Sequence, residues 1–167
     1  MTVVSEDEAM LEPLHIATIG GQPLRFFRTP LNDGRPDLPW LAIDDLGRCL
    51  GLSRAHRRIH LAVFYRVWKE AVRTVETPDG RVAVAPHAMA MAAVEALIDK
   101  GRTTASARDE YVSASADAMM KLPRGPFHSA EALRVWVSAA ANRWRVSGHT
   151  FSMAELFPFI TMDRADD

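Results

Sequence analysis

The sequence predicts an α+β fold: a small antiparallel β-sheet with hairpins packed against several helices, followed by a helical C-terminal extension. Three observations carry this. Two stretches of strand-like residues flank turn chemistry, at Gly20-Gly21-Gln22-Pro23 and at Thr77-Pro78-Asp79-Gly80. Residues 87–122 read as two helices, the first Ala/Met-rich and closed by Gly101, the second stopped by Pro123. The 167 residues are 48% apolar and 25% charged, an ordinary globular composition with enough apolar surface for one core.

The elements follow in order. Residues 1–12 carry four acids and no base and are expected to be poorly ordered. His15-Ile16-Ala17-Thr18-Ile19 and Leu24-Arg25-Phe26-Phe27-Arg28 form the first hairpin, and Thr29 to Pro39 is a Pro-rich loop. Trp40 to Ile43 makes one short buried strand. Asp44 is placed to cap a short helix through Leu50, which Gly51 ends. Ser53 caps a helix to about Tyr65, with Leu52, Ala55, Ile59, Ala62 and Val63 on one stripe and Arg54, Arg57 and Arg58 opposite. Alternation in 72–76 and 81–85 around Pro-Asp-Gly gives the clearest hairpin, sharing a sheet with Trp40–Ile43 or with the first hairpin. Helices follow over His87–Lys100 and Thr104–Leu122. Another begins at Ser129, with Leu133, Trp136, Val137, Ala140, Ala141 and Trp144 along one face. That face must cover either the 87–122 helices or a second subunit. A short last turn at Ser152–Pro158 and a frayed acidic tail complete the chain. The domain organisation is an acidic N-terminus (1–12), a core domain (13–123) and a helical extension (124–167), joined at Pro123-Arg124-Gly125-Pro126.

Charge and cysteine content exclude several classes. Twenty basic against twenty-one acidic residues make neither a uniformly basic nucleic-acid binder nor a self-repelling chain. The single Cys49 cannot form an intramolecular disulfide and fits a reducing, cytoplasmic setting. No apolar run reaches the roughly 18 residues of a membrane helix, and residues 1–12 do not read as a signal peptide.

Charge placement is more informative than charge total. From Leu46 to Lys69 there are six basic residues, two His and no acid. Arg48, Arg54, Arg57, Arg58, His60, Arg66 and Lys69 are the candidate nucleic-acid contacts, since one helix and its flanks would offer phosphates a local positive surface. The competing reading is a solvated face paired with carboxylates from elsewhere. Within this segment, Asp45 to Ser53 resembles the first helix and turn of a helix-turn-helix, with Gly47 and Gly51 four apart. That motif docks its second helix through apolar residues six and nine positions after Gly51. Here those positions hold Arg57 and His60, and Ile59 is expected to turn inward instead.

No catalytic residue, metal site or cofactor site is expected. His56 and His60 stand i, i+4, but Arg57 occupies the place of a following base, neighbouring arginines repel a dication and no third ligand is evident. Cys49 shares a side with Leu46 and Leu50 and reads as a small buried hydrophobe. Met89, Met91, Met119 and Met120 read as core filling. Leu133, Trp136, Val137 and Trp144 are the candidate oligomer or partner contact.

Pro39-Trp40-Leu41-Ala42-Ile43-Asp44-Asp45-Leu46 followed by Leu50-Gly51-Leu52-Ser53 resembles the opening of the Bro amino-terminal (BRO-N) domain of phage antirepressors and large-DNA-virus Bro proteins. In order come counterparts of its inward Ile beside a His (Ile59-His60), its hairpin (Val72 to Ala85), its Leu/Ile-rich helix (Ala88 to Ile98) and its closing helix ending in Leu-Pro (Ala107 to Leu122-Pro123). The Leu24–Arg28 strand fits as well. The likeness spans about residues 14–123, specific at the first block and topological later. Leu52 replaces the usual aromatic, and His87-Ala88-Met89 stands where that family has Glu-x-Gly-Leu. The resemblance implies an α+β regulatory domain, not an enzyme, that binds DNA or a repressor protein. Together with that resemblance, the basic face leads to the expectation of a transcriptional regulator of prophage or mobile-element type that contacts DNA through residues 53–69, its C-terminal helices mediating self-association or holding a partner. The alternative is an antirepressor acting purely by protein–protein binding; an enzyme would need converging titratable groups, which the sequence does not display.

Overall fold

The computed structural model describes residues 10–67, 71–122 and 128–144. The expectations for residues 1–9, for Lys69, for the 123–126 linker and for everything after Trp144 lie outside these residues. So do those that rest on the side chains of His60, Leu61, Val63 and Ala141.

Among the described residues five strands form one antiparallel sheet: β1 (His15–Ile19), β2 (Gln22–Phe27), β3 (Trp40–Ala42), β4 (Arg73–Thr77) and β5 (Gly80–Ala85), in the order β1-β2-β3-β5-β4. Both hairpins stand in this single sheet, with the short β3 between them, so the two placements foreseen for the second hairpin are both realised. The first turn is tighter than expected. Gly20 and Gly21 take φ of +57° and +76°, the pair of positive values a two-residue turn needs, and Gln22 and Pro23 already belong to β2.

Five helices accompany the sheet: α1 (Ile43–Cys49), α2 (Arg54–Val67), α3 (His87–Asp99), α4 (Ala105–Met120) and α5 (Ala130–Asn142). Thr104 and Ser129 cap α4 and α5, each hydroxyl accepting a backbone N–H in the first turn. Past α3 the chain turns at Gly101, at φ +68°. Period-2 alternation in the strands sends apolar residues to both faces of the sheet. Leu24, Phe26, Leu41 and Ala85 point to one face, beneath Leu46 of α1, Met89, Val94 and Leu97 of α3 and Tyr111 of α4. Small residues (Ala90, Ala93, Ala96, Ala114 and Ala118) populate the buried faces of α3 and α4. Of the four methionines expected in the core, Met89 is buried, but Met120 is 69% exposed at the last turn of α4, beyond the reach of the sheet.

The opposite face carries Phe27, Trp40, Ala42 and Val84, with Leu11, Leu31 and Trp144 packed on it among the described residues. A buried carboxylate fixes this cover. Asp37, its side chain 1% exposed, accepts the indole N–H of Trp40 (2.7 Å), the hydroxyl of Thr29 (2.8 Å) and the indole N–H of Trp144 (3.0 Å). The two indoles meet edge to face at 5.6 Å, and Arg143 reaches Asp33 and the Arg35 carbonyl. Trp144 is therefore packed against the core of its own chain, one of the two roles, core or oligomer contact, that its place on the stripe allows. The α5 stripe is only partly buried among the described residues. Ala140 is buried, Leu133, Trp136 and Val137 are half-buried, and Val135 is 64% exposed.

On the helical side, His87 opens α3 with its Nδ1 2.8 Å from the Tyr111 hydroxyl and 3.1 Å from that of Ser115, its ring stacked on Tyr111 at 5.5 Å. Neutral His87 can accept one of these hydroxyl protons. Burial lowers its pKa below the ordinary 6.5. The unfolded chain then binds a proton at higher pH than the folded one, so the stability His87 contributes is present above that value and is lost as pH falls toward the folded pKa. The urea midpoint should fall between pH 7 and pH 5, and His87→Gln should flatten that fall; an unaltered slope in the variant would assign it to other groups.

Candidate nucleic-acid interface

Two adjacent carboxylates at the start of α1 organise this region. Asp45, 3% exposed, accepts the Arg25 backbone N–H (3.1 Å), its Nε (2.7 Å) and its Nη2 (3.0 Å), fastening α1 to β2. Hydrogen bonding to Asp45 raises the pKa of the Arg25 guanidinium. Asp44 points outward and accepts Arg48 Nη2 (2.7 Å) and Arg57 Nε (3.0 Å). Asp44 is not the N-cap the sequence suggested. Ala42 holds that position without a side-chain bond, because the helix begins two residues earlier and both carboxylates are committed to arginines. They still sit in the first turn, where the helix dipole favours negative charge.

The chain then passes through Gly51, at φ +79°, and buried Leu52, whose N–H donates to the Gly47 carbonyl at 2.9 Å. Ser53 Oγ accepts the His56 N–H at 3.2 Å, capping α2 as expected. The face that α2 turns inward differs from the expected one. Ala55, Ile59 and Ala62 are exposed, Ile59 by 39%, whereas the Arg57 side chain is only 19% exposed. Arg57 lies across Gly47, where an added Cβ would stand 2.8 Å from its Cγ and 2.9 Å from its Cδ. Its Nη1 donates to the Leu52 carbonyl at 2.9 Å. The reason for the inversion is on the α1 side. Gly47 leaves a floor without a side chain, flanked by a carboxylate and a turn carbonyl, and a long stem with a fork of donors fills it better than Ile59 could. Arg57 thus occupies the docking position six residues after Gly51.

This docking sorts the candidate contacts. Arg48 and Arg57 are held by Asp44, and Arg48 also by Asp45 at 3.2 Å, so both position helices. Arg54, Arg58 and Arg66 are exposed, and no carboxylate among the described residues pairs with them. At 100° per residue they span an arc of about 120° on α2, with Ala62 inside it and Ile59 at its border. Nothing in the sequence marked Asp44 as the partner of Arg57; the signal was the docking position itself, set aside because its residue was not apolar.

Elsewhere the reactive groups are quiet. Burial pushes the Cys49 thiol up to about 11, and its Sγ lies 3.5 Å from the Gln22 carbonyl, so it remains a protonated core residue. Among the described residues no three potential metal ligands converge, and no helix is long and apolar enough to cross a membrane. The chain matches no protein-family model, no curated protein and no solved structure.

The Gly47–Arg57 contact is directly testable. Ala is the better helix former by about 1 kcal/mol, yet Gly47→Ala should lower stability by about 1–2 kcal/mol because the Arg57 stem must move. In a double-mutant cycle with Arg57→Ala, the two changes should be non-additive by roughly 1 kcal/mol. Additive losses in urea titrations would remove the contact from the account.

Proposed function

We propose that the chain is a transcriptional regulator that binds double-stranded DNA through the outward face of α2. One observation carries the reading: Arg54, Arg58 and Arg66 stand exposed and unpaired, among the described residues, on a helix that packs against α1 across the Gly51 turn. The 14 residues of α2 make a rod about 21 Å long, of a width the major groove admits. Guanidinium forks suit phosphate oxygens and guanine edges, and exposed Ile59 and Ala62 offer apolar contact for a thymine methyl.

We read the chain as a divergent relative of BRO-N domains, and hence as a regulator of prophage or mobile-element type. What supports the kinship is the order of elements: the strand led by Trp40, α1 started by two Asp, α2, the β4–β5 hairpin, then α3 and α4. A second reading, an antirepressor that covers a repressor protein, draws on the exposure of Ile59 and Val135.

Salt separates the two. Counterion release makes the log of DNA affinity fall with the log of salt by about 0.9 per phosphate contact. The variant Arg54→Ala/Arg58→Ala/Arg66→Ala should lose duplex retention at moderate salt and show a shallower slope, with the melting temperature within about 3 °C of wild type, since none of the three supports the core. A wild-type chain that retains no duplex even at low salt would rule out the DNA reading in favour of a protein partner.

A further inference from the structure

The sheet has a second surface with binding chemistry, on the side of β1. This strand ends the sheet, and no other strand among the described residues pairs with its outer edge. Which backbone groups face that edge follows from its partner. Thr18 stands opposite Pro23, which has no N–H, and Ile16 stands opposite Arg25, whose N–H goes to Asp45 instead. Both are therefore positions whose own N–H and C=O point away from β2. Two residues apart, they repeat at the spacing of a strand template.

Beside this edge runs α4, leaving an open groove of about 540 Å³. Its helical wall is lined by Asp109, Glu110, Ala114 and Asp117, which fall within an arc of about 140° on α4. Asp109 meets Arg108 Nε at 3.5 Å, while among the described residues no cation pairs with Glu110 or Asp117. On the other side of the strand Ile16 is 57% exposed. Edge, carboxylates and apolar side chain together describe one ligand.

We propose that the open edge of β1 takes up an extended peptide segment of a partner protein as an added strand, with Lys or Arg directed toward α4 and apolar residues alternating beside Ile16. Main-chain bonds to Ile16 and Thr18 hold the segment, and the carboxylates select its charge. The acidic ends of this chain, Glu6-Asp7-Glu8 and Asp163 to Asp167, carry the wrong sign to fill the groove. The site is independent of the α2 surface.

The test uses the full chain and a capped peptide of about six residues alternating Lys and Val, with a Glu/Val counterpart. Titration should shift the Ile16 and Thr18 amide resonances with the Lys/Val peptide and leave them with the Glu/Val one. N-methylation of one alternate set of peptide amides should abolish binding and that of the other should not, because only one set faces β1. The variant Asp109→Asn/Glu110→Gln/Asp117→Asn should bind roughly tenfold more weakly at low salt. Equal binding of both peptides, equal effects of both N-methylation sets, or no shift at millimolar peptide overturns the proposal. Amide shifts that grow with protein concentration alone would give the edge to a second copy and overturn it as well.

Discussion

A carboxylate taken out of water must be fully partnered, and Asp45 meets that requirement in a way that sets the rest of the architecture. Its oxygens receive one backbone and two guanidinium donors from Arg25, so α1 can approach the sheet at one place and in one orientation. Removing one member of such a pair costs about 3–5 kcal/mol, because the other is left buried and uncompensated. The neighbouring Asp44, rotated 100° around the helix, faces solvent and catches Arg57. Two consecutive residues thus fasten α1 inward to β2 and outward to α2. Without this pair the exposed arginines would have no fixed direction.

The docking of α2 also divides the charge of a nearly neutral chain. Arg48 and Arg57 are consumed by Asp44 and Asp45, which leaves Arg54, Arg58 and Arg66 on one face of α2. Glu110 and Asp117, which no described cation pairs, stand with Asp109 on α4 beside β1. A net charge of −1 conceals this segregation. It leaves one surface suited to polyanions and another suited to a basic strand, so the two need not compete. Asp37 serves the opposite face of the sheet in the same manner as Asp45, drawing Trp144 over Trp40.

Much of the fold was legible because local signals agreed with the tertiary result. Gly20-Gly21, Pro78-Asp79-Gly80, Gly51 and Gly101 each marked a turn that the backbone makes, and Ser53 and Ser129 each capped a helix. Short β3 was legible from Trp40-Leu41-Ala42, though its place between two hairpins was not, since strand order is a long-range property. The face of α2 was misjudged for a physical reason. Periodicity ranks Ala55, Ile59 and Ala62 as the buried stripe, but the surface they would meet is a bare Gly47 beside a carboxylate and a free carbonyl, which suits an arginine. The partner of Trp144 was hidden for a similar reason: Asp37 is 107 residues away, in a loop whose sequence announces only turns. Tertiary polar contacts decided each of these, and hydrophobic patterning does not encode them.

The central claim is that Arg57 docks α2 so that the face bearing Arg54, Arg58 and Ile59 meets DNA. Site-specific photo-crosslinking tests it most directly, with a photoreactive side chain introduced at Ile59 in one protein and at the more exposed Met120 in another. Irradiation with duplex DNA at low salt should give a covalent adduct from position 59 and none from position 120. Adducts of equal yield from both positions, or none from position 59 while DNA is retained, would contradict the account.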